Sequence, residues 1–173
     1  MSAIADYSAR EALRDGRTIE IRALRPEDRE GLVSAVKRCS VQSIYRRFFG
    51  VRTEFSDKEV SFFLDIDFVD HVALVAVLEQ DSKPVIIGGA RFVLVEPGKA
   101  ELAFAVVDEY QRLGIGAALL RHLILIGRMA GLRVFLADVM PDNSGMLRIF
   151  ERSGLKYSAT REPGVVHVVL EFE

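Results

Sequence analysis

At 173 residues the chain fits one ordinary domain, long enough to bury a sizeable core. Half of the residues are hydrophobic, with 11 phenylalanines and no tryptophan, which excludes a disordered chain. The formal charge of -2 gives no sign of a polyanion partner, and the single cysteine, Cys39, excludes an internal disulfide.

Met1 to Asp15 is polar and lacks the apolar centre of a signal peptide, and no run is long enough to span a bilayer. The expectation is a soluble, cytoplasmic protein without membrane partners. No cluster of residues resembles a metal site. Arg46-Arg47 and the stretch from Arg25 to Arg29 sit beside acids and read as solvated faces, so no nucleic-acid partner is expected.

Residues 1–16 read as a loose or helical lead-in, closed by the turn signal Asp15-Gly16, with a single domain over 17–173. Thr18 to Leu24 alternates apolar and polar residues, as a half-buried strand does. Arg25-Pro-Glu-Asp28 predicts a helix from Pro26 to Lys37 carrying Leu32, Val33 and Val36 inward. Ser40 to Phe49 reads as a second helix with Ile44, Phe48 and Phe49 on its apolar side. Ser56-Asp-Lys-Glu59 is a capping-box pattern and predicts a third helix, short, through Leu64.

From His71 the texture becomes apolar and β-branched. His71 to Leu78 predicts a buried strand, and Val85 to Val95 a second, bulged at Gly88-Gly89. A third begins near Glu101, and the short turns at 81–84 and 96–99 make the three an antiparallel meander. A helix over Gly114 to Ala130 follows, facing inward through Leu119, Leu123, Ile126 and Ala130. Arg133 to Val139 predicts a strand parallel to the Glu101 strand, because a helix links them. Pro141-Asp-Asn-Ser opens a helix from Gly145 to Ser153, stopped by Gly154. Leu155 to Thr160 and Val165 to Phe172 close the chain as strands, giving one α/β domain with a mixed sheet.

The most informative stretch runs from Glu101 to Leu120. An apolar strand leads through a polar turn, Asp108 to Arg112, into two glycines, Gly114 and Gly116, that start a helix. A helix's first N–H groups lack intrahelical acceptors and carry partial positive charge, which suits a phosphate or pyrophosphate. Glycine lets backbone approach the anion closely. A dinucleotide-binding turn would want a further small residue where Leu119 stands, and a strand running straight into the first glycine. Asp138 on the next strand is its one supporting feature, and that reading fails. A Walker-type loop fails as well, since no Gly-Lys-Ser/Thr follows.

The run Gln111-Arg-Leu-Gly114-Ile-Gly116, the order of elements, and Asn143-x-x-Met146-Leu147 with Gly154-Leu155 resemble the GCN5-related N-acetyltransferase (GNAT) superfamily over about residues 17–173. A narrower resemblance, to the acetyltransferase domain of bacterial protein-lysine acetyltransferases, rests on three runs. These are Ile21 to Asp28, Ser40-x-x-Ser43-x-Tyr45-Arg46-Arg47-Phe48-Phe49, and Ala100 to Ala103.

The resemblance implies a GNAT fold, a mixed sheet of about seven strands with the fourth and fifth splayed and helices flanking it. It implies acetyl-CoA as cosubstrate, with backbone of Val106 and Val107 pairing with the pantetheine arm or holding the oxyanion. Amides of Gln111, Arg112, Leu113, Gly114, Ile115, Gly116 and Ala117 are expected on the pyrophosphate. Arg112 can offset its charge or be a solvated arginine. Asn143 matches a cofactor-reaching position and is equally a good N-cap.

Glu101 matches the family's general base. Strand alternation puts it on one face with Ala103, Ala105 and Val107, which leaves room for a substrate. Phe150 stands where many relatives have a tyrosine as general acid, so the thiolate leaves unaided or Tyr45, Tyr110 or Tyr157 serves. His71, His122 and His167 read as surface or strand-edge residues. Two functions follow as expectations. One is N-acetyl transfer by direct attack of an amine, most simply a protein lysine, with a small amine as the alternative. The other is an acyl-CoA sensor that no longer catalyses. The apolar run Val165 to Leu170 is expected to offer an edge to a second copy.

Overall fold

The computed structural model describes residues 3–38 and 64–173. Cys39, Tyr45, the helix expected over Ser40 to Phe49 and the one opened at Ser56 lie outside the described residues. The strands are β1 (Ser8–Ala12), β2 (Thr18–Ala23), β3 (His71–Gln80), β4 (Lys83–Glu96), β5 (Lys99–Val106), β6 (Val134–Val139), β7 (Lys156–Glu162) and β8 (Val165–Glu171). They form one open sheet in the order β1-β2-β3-β4-β5-β6-β8-β7. Neighbours run antiparallel except β5 and β6, which are parallel because the helix α2 (Ile115–Met129) links them. Helices α1 (Arg29–Lys37) and α3 (Ser144–Glu151) are the others among the described residues.

The sheet has eight strands where about seven were expected. The extra one is β1, which starts the sheet at Ser8, ahead of the expected boundary at residue 17. Ala3–Asp6 does form a 3-10 turn. Ser8–Ala12 is a strand because it pairs with β2 over its whole length, a contact that local sequence does not announce. Its side chains also reach α2. His122, buried on that helix, is bracketed by the Tyr7 hydroxyl and by Glu11 Oε1 at 2.7 Å, and Arg121 reaches Glu11 at 3.1 Å. Burial opposes ionisation of Glu11, yet the bonds to His122 and Arg121 hold it below its usual range.

The meander β3–β4–β5 stands as expected, with β3 buried from His71 to Leu78. The bulge falls at Ile87 rather than at the glycines: Ala76 faces Gly88 and Val77 faces Ile86, so Ile87 is the extra residue. On one face, Phe92 lies opposite Leu102 and Ala100 opposite Phe135, and these meet α2. Gly127 permits that contact, since a Cβ there would stand 3.1 Å from Phe135 Cζ and 3.0 Å from Phe172 Cζ. Ala130 is exposed, against expectation, because the helix ends at Met129 and Ala130 is its C-cap.

The other face carries α1, whose Gly31 packs on Ile86. Its start is fixed by a buried ion pair: Nη1 and Nη2 of Arg22 each donate to Asp28 at 2.8 Å, and the Arg25 N–H donates to it at 2.7 Å. Burial alone would raise the Asp28 carboxyl, but these donors outweigh it and hold it low.

β8 lies between β6 and β7 and is paired on both sides, so it offers no edge to a second copy. The edge strand there is β7, whose exposed Lys156, Arg161 and Glu162 discourage further pairing.

Candidate active site

β5 pairs with β4 from Lys99 to Val106 but with β6 only through Lys99, Ala100 and Glu101. Past the pair Glu101–Leu136 the parallel strands part, leaving a cleft between the end of β5 and Ala137–Val139 of β6. Glu101 is thus the last residue of β5 held to β6. It is exposed and shares its face with Ala103 and Ala105, as alternation predicts, so small side chains flank the carboxylate.

Register decides which backbone groups face the cleft. The Val107 N–H donates to Ile87 O at 2.9 Å and its carbonyl accepts from the Tyr110 N–H at 2.9 Å, so both are committed. This corrects the expectation for Val107. Since Val107 bonds toward β4, the alternation of an antiparallel ladder turns the backbone groups of Phe104 and Val106 toward the cleft. The Val106 carbonyl also accepts from Gln111 Nε2 at 3.1 Å, tying the following turn to the strand's end. Phe104 escaped the sequence reading because its place depends on which β5 residues bond to β4.

The turn then delivers α2. Arg112 has φ +66 and Gly114 φ +95, and Gly114 is the helix N-cap. The first helical bond runs from the Ala118 N–H to Gly114 O at 3.0 Å. The N–H groups of Gly114, Ile115, Gly116 and Ala117 find no acceptor among the described residues. Open donors at the positive end of a helix fit a pyrophosphate. Gly116 also keeps α2 close to α3: a Cβ there would lie 3.1 Å from Ile149 Cδ1. Leu113 is half-buried while Gln111 and Arg112 are exposed.

Asn143 is the N-cap of α3, its Oδ1 accepting from the Met146 N–H at 3.3 Å. The cap role is therefore present, and its side-chain amide donors remain for a ligand. Phe150, buried, packs edge-on against Phe104 with centroids 5.8 Å apart, so this ring sits beside a cleft residue and donates no proton. Tyr110 is buried with its hydroxyl bonded to Gln80 and the Arg17 and Arg38 guanidiniums over its ring. Tyr157 lies on β7, two strands from β6.

Two of the histidines differ from the surface expectation. His71 is buried on the Glu101 face and bonds Arg91 at 2.9 Å. Burial and then the Arg91 charge hold its pKa below the ordinary value. His122 is buried too. His167 is half-exposed between Glu162 at 2.9 Å and Asp138 at 2.6 Å, and both carboxylates raise its pKa. Asp138 stands two residues beyond Leu136, on Glu101's face across the cleft. Among the described residues no group of His, Cys, Asp and Glu could hold a metal ion, and no helix is long and apolar enough to cross a membrane.

The chain belongs to the Acetyltransferase (GNAT) family, whose model matches residues 38–155, and the parted β5 and β6 with the glycine turn are that fold's arrangement. It is accordingly an acetyl-CoA-dependent acetyltransferase. Among solved structures, the GNAT domain of S. lividans PAT superposes with a TM-score of 0.86 at 35% identity, covering 95% of this chain and 97% of that one. Among curated relatives, Acetyltransferase PA5475 of Pseudomonas aeruginosa is 38% identical over 124 residues, 71% of this chain and 67% of its own length. Acetyltransferase Pat of Mycolicibacterium smegmatis is 33% identical over 144 residues, and the match spans 82% of this chain but only 42% of that protein.

Proposed function

We propose that the chain moves an acetyl group from acetyl-CoA to a primary amine, with a protein lysine side chain as the acceptor, by direct attack within a ternary complex. The observation that carries this reading is the position of Glu101 at the point where β5 and β6 part, beside Ala103 and Ala105. A lysine ammonium, with a pKa near ~10.4, must lose its proton before it attacks a thioester, and a carboxylate within reach can take it.

In this reading the backbone of Phe104 and Val106 aligns the pantetheine arm along the cleft, and the N–H groups of Gly114 to Ala117 bind the pyrophosphate. Gln111, Arg112, Leu113 and Asn143 line the same end. Acetyl-CoA supplies the activated acyl group, and Phe150 leaves the thiolate to depart without a phenol donor. The lysine acceptor is supported by the resemblance of Ile21 to Asp28 and Ala100 to Ala103 to protein-lysine acetyltransferases.

Acetyl-CoA turnover against a panel of lysine peptides and small amines tests the acceptor: transfer to peptides supports this reading, and transfer to small amines alone overturns the lysine assignment. Gly116→Glu is expected to abolish coenzyme A binding in calorimetry while circular dichroism stays native, because the new side chain places negative charge at the anion site. Unchanged affinity would put the cofactor elsewhere.

A further inference from the structure

We infer that Arg14, in the turn between β1 and β2, is a further cofactor-binding residue that brings a cation to the phosphate groups of coenzyme A. The inference rests on the cofactor reading above and extends the site to the segment ahead of residue 17. Arg14 is joined to the glycine turn at two points: its N–H donates to Leu113 O at 3.1 Å, and its Nη1 donates to Arg112 O at 3.3 Å. Its Nε stands 3.8 Å from where a Cβ on Gly114 would lie, so the side chain runs beside the first residue of the open N–H series.

Two nearby cations already have carboxylate partners. Arg17 pairs with Asp15 and Arg38 with Glu109, and both lie over the Tyr110 ring. Arg14, by contrast, is exposed and has no carboxylate partner among the described residues; its one side-chain bond goes to a carbonyl, which leaves its charge uncompensated. A guanidinium presents five donors in a fork that matches phosphate oxygens. Bracing the turn does not require that side chain, since the backbone bond to Leu113 already ties the two loops.

The test is calorimetric titration of coenzyme A and 3′-dephospho-coenzyme A into the wild type, Arg14→Ala and Arg14→Gln, with circular dichroism as the check on folding. Gln keeps a donor for Arg112 O but carries no charge. Both variants are expected to weaken coenzyme A about tenfold, with a shallower dependence of affinity on salt. Equal weakening for both ligands assigns the contact to the pyrophosphate, and weakening for coenzyme A alone assigns it to the 3′-phosphate. Wild-type affinity in Arg14→Gln would reduce the side chain to a brace and overturn the inference, as would unaltered binding in Arg14→Ala. A wild-type protein that binds neither ligand would overturn the cofactor reading itself, a different result from binding that ignores Arg14.

Discussion

Along its β4 side, β5 is paired from Lys99 opposite Glu96 to Val106 opposite Gly88; along its β6 side pairing stops after Glu101 opposite Leu136. One strand thus has a closed edge that fixes its position and an edge left open for a ligand. The closed side explains why Glu101 is held firmly, and the open side explains why anything can reach it. The two sides also differ in what supports them. β2 to β4 carry antiparallel ladders, and Arg22 of β2 makes the buried pair with Asp28, whereas the cleft is bounded by exposed and half-exposed polar groups such as Asp138 and His167.

This contrast predicts that damage to the closed side appears as lost stability and damage to the open side as lost turnover. Asp28→Ala leaves the Arg22 charge buried without its partner and is expected to cost roughly 3–5 kcal/mol in urea unfolding. A loss within measurement error would show that the pair does not secure the start of α1. Glu101→Gln, at an exposed position, is expected to leave stability within about 0.5 kcal/mol. Turnover should fall about a hundredfold, equal to about 2.7 kcal/mol of activation free energy. That deficit should shrink as pH climbs toward the amine's own pKa, because the acceptor then arrives deprotonated. A deficit constant with pH would make Glu101 a shaping residue instead of a base.

His71 gives the smallest expected effect. Burial and Arg91 hold its folded pKa below the value of about 6.5 that it has in the unfolded chain. As pH falls through that window the unfolded state takes up a proton before the folded state does, so stability declines toward acid. His71→Gln should flatten this part of the stability–pH curve between neutral pH and pH 5, and an unchanged slope would remove His71 from the acid response.

Periodicity made most of the fold legible: the alternation of Thr18 to Leu24, the apolar run from His71 and the glycine-led helix all appear where local pattern places them. Ser8–Ala12 was hidden because Arg10 and Glu11 interrupt any apolar alternation, and its strand character comes from pairing with β2. An apolar run such as Val165 to Leu170 reads alike at an edge or inside a sheet, and only the hairpin with β7 decides the matter. In the site, residue types were readable but register was not. The pairing of β5 with β4, fixed at its end by the bond from the Val107 N–H to Ile87 O, decides which backbone groups turn into the cleft, and no spacing rule carries that information. Asp28 was legible as an acid at a helix start, but its partner Arg22 emerges only from the packing of β2 beneath α1.

β6 is zipped to β8 along its whole length, from Val134–Glu171 to Val139–Val166, and β8 to β7 in turn. The sheet is therefore paired strand to strand within β1 to β5 and within β6 to β8, and these two leaves join along a short spine of Lys99, Ala100 and Glu101 against Val134, Phe135 and Leu136. The packing of α2 on Phe135 and Phe172 lies at that same bound end. A rotation of one leaf about that spine would give the greatest travel at Val106 and the least at Glu101. A thicker acyl carrier can part the leaves at their free margin while the carboxylate, seated on the axis of rotation, keeps its aim.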